Sequence, residues 1–170
     1  MIPKKFNFKL DIWCSGIDSL MRHHDYIIAL VESINEKNFT KYWLHAAHLF
    51  FNGEKMSKRK GNIKYPRDLI ETQCNWNHIR FFFIYGHYRK KLNFTNKNYN
   101  KICKLLIDFH NMVEQFDNNE NLGEKSSNLS KKLIRKVKID FEKHMNNDLQ
   151  VKYAFDSINE IVRDLVKLKE

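Results

Sequence analysis

The 170 residues carry 30 Lys and Arg against 20 Asp and Glu, a formal net charge of +10. That surplus favours an anionic partner, most simply nucleic acid, with solubility as the plainer explanation. Three scattered cysteines, Cys14, Cys74 and Cys103, form no Cys-x-x-Cys pair, which argues against a disulfide framework and fits a reducing cytosol. No stretch is long and apolar enough to span a membrane, and Met1–Phe6 has no apolar run of signal-peptide length, so a cytoplasmic location and no membrane partner are expected.

In chain order, Phe6 to Ile12 alternates apolar and polar residues and predicts a strand that Ser15-Gly16 breaks. Ser19 to Ile34 predicts a helix with a broad apolar face of Leu20, Ile27, Ile28, Leu30, Val31 and Ile34. Thr40 to Phe51 predicts a second buried strand. Strand, helix and strand in that order fit a parallel β-α-β unit. Asn52-Gly53 is a tight-turn signal. After it comes Lys55-Met56-Ser57-Lys58-Arg59-Lys60-Gly61-Asn62, with four cations in six residues. Pro66 opens a short helix, and Asn77 is expected to cap a helix over 78–88. Ile102, Leu105, Leu106, Phe109, Met112, Val113 and Phe116 recur at helical spacing. The polar segment from Asp117 to Ser127 reads as a loop. Helices carrying Leu129, Leu133, Val137 and Phe141, and then Val151 to Leu168 behind an Asn147 or Asp148 cap, complete an α-helical bundle. His45 and His48 read as packed strand residues.

A strand, a tight turn and a basic loop can bring several ammonium groups to a polyphosphate. Phosphate chemistry needs positioning and charge stabilisation more than an acid or a base. The order Lys-Met-Ser-Lys, then Gly-Asn, resembles the signature loop of class I aminoacyl-tRNA synthetases, with Arg59 where the family usually has serine. Asp11 to Asp18 followed by His23-His24-Asp25, Phe39 to His45, His87-Tyr88-Arg89 with Leu92-Asn93-Phe94, and Phe141, Met145, Asp148, Leu149 and Ala154 resemble successive segments of the cysteinyl-tRNA synthetases.

The resemblance implies the second half of a Rossmann-like class I catalytic domain over 1–95 and part of an α-helical bundle over 96–170. It implies ATP with Mg2+ as cofactor, cysteine and tRNA(Cys) as partners, and ATP-dependent activation of cysteine followed by its transfer to tRNA(Cys). Lys55 and Lys58 would be catalytic. Gly16, Asp18, Lys55, Met56, Ser57, Lys58, Gly61 and Asn62 would bind ATP, and His23, His24 and Asp25 would form an active-site floor. Arg89, Lys90, Lys91, Lys131, Lys132, Arg135, Lys136 and Lys138 would contact tRNA. The family's first signature, of the His-Ile-Gly-His type, does not occur in this sequence. The chain is therefore expected to be a central piece of such an enzyme, whether a split subunit, a truncated product or an excised piece. It is expected to be inactive alone; in the first case a separate N-terminal synthetase half would be its partner. The alternative is an inactive synthetase-like module that binds tRNA or nucleotide. The family holds zinc through two cysteines, a histidine and a glutamate. The histidine falls on His23 but the glutamate falls on Ile27, so zinc is not expected to be held.

Overall fold

The computed structural model describes residues 10–35, 38–70, 74–117 and 124–167. The chain divides into two compact units, Met1–Met56 with Tyr88–Asn93 and Ser57–His87 with Phe94–Glu170.

The first unit is built on a parallel β-α-β arrangement. Strand β1 (Leu10–Gly16) pairs in parallel with β2 (Thr40–Ala46), with Ile12 opposite Tyr42 and Trp13 opposite Trp43. β1 runs through Ser15, which pairs with His45, and ends at Gly16, which pairs with Ala46. The expected start of this strand at Phe6 lies outside the described residues. The crossover is a π-helical turn, Leu20–His24, that runs into helix α1 (Asp25–Asn35). Period-2 alternation sends Trp13, Trp43 and His45 to one face of the sheet, where they meet His24 and Phe39. The opposite face carries Ile12 and Tyr42, which are 57% and 55% exposed.

The second predicted strand is two strands. β2 stops at Ala46, and β3 (Leu49–Phe51) joins a separate three-stranded sheet between β4 (Glu54–Lys55) and β5 (Leu92–Phe94). Asn52 and Gly53 supply the positive φ values, 49° and 85°, that a two-residue hairpin between β3 and β4 demands. The Gly53 N–H donates to Asn93 Oδ1 at 2.9 Å, which anchors the turn.

The second unit is helical. Helix α2 (Trp76–Tyr85) is capped by Asn75, whose Oδ1 accepts from the N–H groups of Asn77 and His78 at 2.9 and 3.4 Å. The cap is therefore Asn75, with its side chain two residues back from the orphan donor, and the expected Asn77 cap sits inside the first turn. Helix α3 (Asn96–Asp117) packs Tyr99, Ile102, Cys103 and Leu106 inward, and Phe82 sits between Phe94 and Tyr99 with no exposed surface. Helix α4 (Glu124–Asn146) begins within the segment that reads as a loop and packs along α5 (Val151–Lys167). Phe155 of α5 meets Phe81 of α2 and Phe109 of α3 at ring-centroid distances of 4.7 and 5.1 Å, so these three helices share one aromatic core. No helix among the described residues is long and apolar enough to cross a membrane.

Candidate functional site

The crossover turn decides which histidine faces inward. Successive helical residues point about 100° apart. Accordingly His24 is buried while His23 and Asp25 are exposed. His24 Nδ1 lies 2.8 Å from His45 Nε2, and both rings pack against Trp43, with centroids 4.8 and 6.3 Å away. Trp13 and Phe39 close the far side of His24's aromatic surround. Burial lowers the His24 pKa, and positive charge on His45 or His23 lowers it further, with Asp25 opposing. His45, which reads as a packed strand residue, is thus half of the central polar contact of this unit. His24 and His45 stand 21 residues apart, and only strand register brings them together.

A cavity of about 220 Å³ opens beside this pair, lined by Ile17, Leu20, Trp43, His45, Ala47 and Arg89. The Ala47 N–H donates to the Tyr88 carbonyl at 2.8 Å, and this backbone bond holds the segment that delivers Arg89. Arg89, expected as a tRNA contact, therefore lines the cavity. At the C-terminal end of β1, an added Cβ on Gly16 would fall 2.5 Å from Asp18 Oδ1. The bare Gly16 is what lets the Asp18 carboxylate fold back over the strand end.

The cationic stretch crosses from one unit to the next. Lys55 ends the hairpin, and its ammonium lies 3.0 Å from His48 Nε2, so His48 is more than strand packing. The Met56 N–H donates to the Leu49 carbonyl at 3.0 Å. Beyond it, the Ser57 N–H donates to Asn62 Oδ1 at 2.8 Å, across a 3-10 turn over Lys58–Lys60. Gly61 ends that turn at φ 66°, the left-handed region where a Cβ is costly. The loop is therefore a built turn, closed at its base by Asn62, with Lys58, Arg59 and Lys60 all exposed. Asn62, expected to bind ATP, uses its side-chain oxygen to close the loop.

Lys91 Nζ sits 5.3 Å above the Phe50 ring, and Lys90 is exposed. Lys131, Lys132, Arg135, Lys136 and Lys138 are all exposed on α4. His87 has a different task from its neighbours in sequence. Its Nε2 lies 2.8 Å from the Asp148 carbonyl and 3.5 Å from Asp148 Oδ2, in the turn between α4 and α5.

Among the described residues no three His, Cys, Asp or Glu come together as a metal site. Ile27 occupies the position one turn after the exposed His23, and it offers no donor. These residues do not fit a zinc ion.

Residues 1–104 match the family model for the class I (C) tRNA synthetase catalytic domain. The cysteine–tRNA ligase of Brachyspira hyodysenteriae (strain ATCC 49526 / WA1) is 32% identical over 173 residues, which cover 92% of this chain and 36% of the relative. That of Chlamydia muridarum (strain MoPn / Nigg) is 40% identical over 108 residues, covering 62% of this chain and 23% of the relative. Among solved structures, the LeuRS of Agrobacterium radiobacter K84, in a ternary complex with tRNA and LeuAMS, superposes with a TM-score of 0.65 at 12% identity. That alignment covers 93% of this chain and 23% of the other, and it shows likeness of fold. The chain spans 36% or less of each of these relatives. On the matched catalytic domain, and on relatives that align along most of its length, this chain belongs to the cysteinyl-tRNA synthetases of class I.

Proposed function

We propose that this chain supplies the phosphate-handling loop and the start of the helical region of a cysteine–tRNA ligase. The observation that carries the reading is the built loop: a hairpin presents Lys55, Asn62 closes the base, and left-handed Gly61 frees the tip carrying Lys58. The unit holding β1 and β2 would be the later part of the Rossmann-like catalytic domain. The open Ile12 and Tyr42 face supports this, because parallel strands are normally covered on both sides. The rest of the catalytic fold, on the same polypeptide or a separate one, would bring the first signature.

In the reaction so proposed, the cysteine carboxylate attacks the α-phosphorus of ATP. The new P–O bond forms as the bond to pyrophosphate breaks, leaving cysteinyl adenylate. Lys55 and Lys58 would stabilise the charge that builds on the departing pyrophosphate, a contact stronger in the transition state than in bound ATP. Mg2+ bound with ATP would neutralise phosphate charge. Gly16 and Asp18 would border the adenosine, and the His24–His45 pair, walled by Trp13 and Trp43, would form the floor beside it. A ribose hydroxyl at the 3′ end of tRNA(Cys) would then attack the carbonyl carbon and release AMP. Exposed cations on α4 would steady the RNA through its phosphates. Location in the cytoplasm would follow from this role in translation.

The substitution of Ile27 for a family metal ligand favours a second reading, a module that binds nucleotide or tRNA without catalysis. An aminoacylation assay separates the two. With the rest of the family's catalytic fold supplied, the chain is expected to yield cysteinyl-tRNA(Cys), and without that part it is expected to yield none. Tight binding of ATP or tRNA with no charged product in the complete mixture would establish the non-catalytic module instead.

A further inference from the structure

One partner of the Lys55 ammonium lies outside the cationic stretch, and the proposed reaction leaves it without a role. His48 stands between β2 and β3, where the chain changes sheets. The Ala47 N–H, bonded to the Tyr88 carbonyl at 2.8 Å, pins the backbone just before it. Lys55 stands opposite Phe50 in the antiparallel β3–β4 pair, and the bond from the Met56 N–H to the Leu49 carbonyl carries the ladder one step further. Residues two apart on an extended chain share a face. His48 is therefore the diagonal neighbour of Lys55, on the face that also carries Phe50, and long side chains meet across such a diagonal. Here Lys55 Nζ comes within 3.0 Å of His48 Nε2. An ammonium offers only donors, so Nε2 is the acceptor, and the ring is neutral with its proton on Nδ1. His48 is half-buried and Lys55 is exposed, so the ring is the fixed partner and the ammonium the movable one. Both residues belong to the first unit.

We propose that His48 is a positioning residue for Lys55, an inference that rests on the phosphate role proposed for that lysine. The neutral imidazole holds the ammonium over the β3–β4 hairpin until the substrate phosphates take it over. A lysine has a long flexible stem, and fixing it costs conformational entropy. A partner that holds it beforehand removes part of that cost from the chemical step. The kind of partner matters. A carboxylate would offset the positive charge and compete with phosphate for it. A neutral imidazole accepts one N–H and leaves the whole charge in place. A phosphate oxygen is the stronger acceptor, because its hydrogen bond to an ammonium is charged at both ends. The ammonium therefore passes downhill from ring to phosphate. An apolar side chain at position 48 would fill the same space and hold nothing.

The holding contact is read on the full chain by itself, independently of activity. Nitrogen NMR of the labelled imidazole, at a pH where the ring is neutral, tells the protonated nitrogen from the bare one. His48→Gln identifies the His48 signals by their loss. The expected result is a protonated Nδ1 and a bare Nε2, moving toward the opposite tautomer in Lys55→Ala. A wild-type His48 protonated on Nε2, or a pattern that Lys55→Ala leaves unchanged, would overturn the proposal. The role is read by cysteine-dependent exchange of pyrophosphate into ATP, with the remainder of the family's catalytic fold supplied. His48→Met is expected to lower the maximal rate about tenfold, the size of one net hydrogen bond to a charged group, with little change in the Michaelis constant for ATP. His48→Gln, whose Oε1 accepts the same N–H, should stay near the wild-type rate. In a Lys55→Ala chain, His48→Met should lower the rate no further. An undiminished loss there, or an equal loss in His48→Gln, would show that the ring acts through packing and would sink the proposal. A wild-type rate in His48→Met beside a slow Lys55→Ala would refute the role of His48 and leave that of Lys55 standing. Lys55→Ala at the wild-type rate would instead refute the phosphate role of Lys55, and the role of His48 with it.

Discussion

At the scale of single residues, environment sets proton affinity in two places. His24 titrates below its ordinary 6.5 because burial and the neighbouring histidines penalise its charge, and His78 does so because of burial and His110. As the pH falls, the unfolded chain takes up these protons before the folded one does. The stability they contribute is therefore complete above pH 6.5 and is lost as the pH falls from there through the lowered folded values. Urea unfolding should show a lower midpoint at pH 5.5 than at pH 7.5, and His24→Gln should flatten the difference. A midpoint unchanged between those values would contradict the assignment. The order of Lys55 to Asn62 is itself informative in the sequence, and it is what motivates the phosphate role proposed for this loop. The His24–His45 contact was not legible there, because it depends on the register of β1 against β2 and on a π-helical turn that rotates His24 inward. Asn62 shows the same limit: its type and place are legible, but its hydrogen bond to Ser57 is a property of the folded loop.

Among the elements, the turn joining α4 to α5 makes the sharpest demand on its residues. Asp148 and Leu149 both take left-handed backbone angles, at φ 57° and 55°, with neither being glycine. The N–H groups of Leu149 and Gln150 donate to the carbonyls of Met145 and His144, which closes the end of α4. The His87 ring meets the same turn at the Asp148 carbonyl. Leu149→Gly should stabilise the chain by about 0.5–1 kcal/mol by removing the Cβ penalty, and Leu149→Val should destabilise it. His87→Ala should cost about 1–2 kcal/mol, since it leaves the Asp148 groups without that partner. Denaturant unfolding of the three variants decides this, and a stability ranking in the reverse order would show that the turn is not strained. Sequence periodicity located the helices well, because α3 and α5 have clear apolar stripes. It placed the ends less well. Asn75 and Asn77 are equivalent by composition, and only the geometry of the first turn selects Asn75. The split of the second strand was also hidden, since Tyr42 to Phe51 is nearly continuous in apolar and aromatic residues while the chain changes sheets between Ala46 and Leu49.

For the molecule as a whole, the proposed function, the charge of +10 and the five exposed cations between Lys131 and Lys138 predict salt-sensitive binding of tRNA. Affinity should fall about ten- to a thousandfold between low and physiological salt through counterion release, and Lys132→Ala with Lys136→Ala should reduce the salt slope. Little preference for tRNA(Cys) over other tRNAs is expected, because phosphate contacts carry little sequence information. A fluorescence titration showing strong tRNA(Cys) preference at physiological salt would place specificity in this part of the protein. The open Ile12 and Tyr42 face belongs to this scale too, as an apolar surface that β1 and β2 do not cover by themselves. The parallel β-α-β unit and the helical bundle were legible from element order. The interleaving of units was not, because β5 returns to the first unit's hairpin from a distance of about forty residues.

The central claim is that the Lys55–Asn62 loop acts on the phosphates as cysteine is activated. Cysteine-dependent exchange of pyrophosphate into ATP tests it most directly, with the remainder of the family's catalytic fold supplied. Lys58→Ala is predicted to lower the maximal exchange rate by the equivalent of about 2–4 kcal/mol, with little change in the Michaelis constant for ATP. Exchange at the wild-type rate, or a loss confined to ATP affinity, would contradict the account.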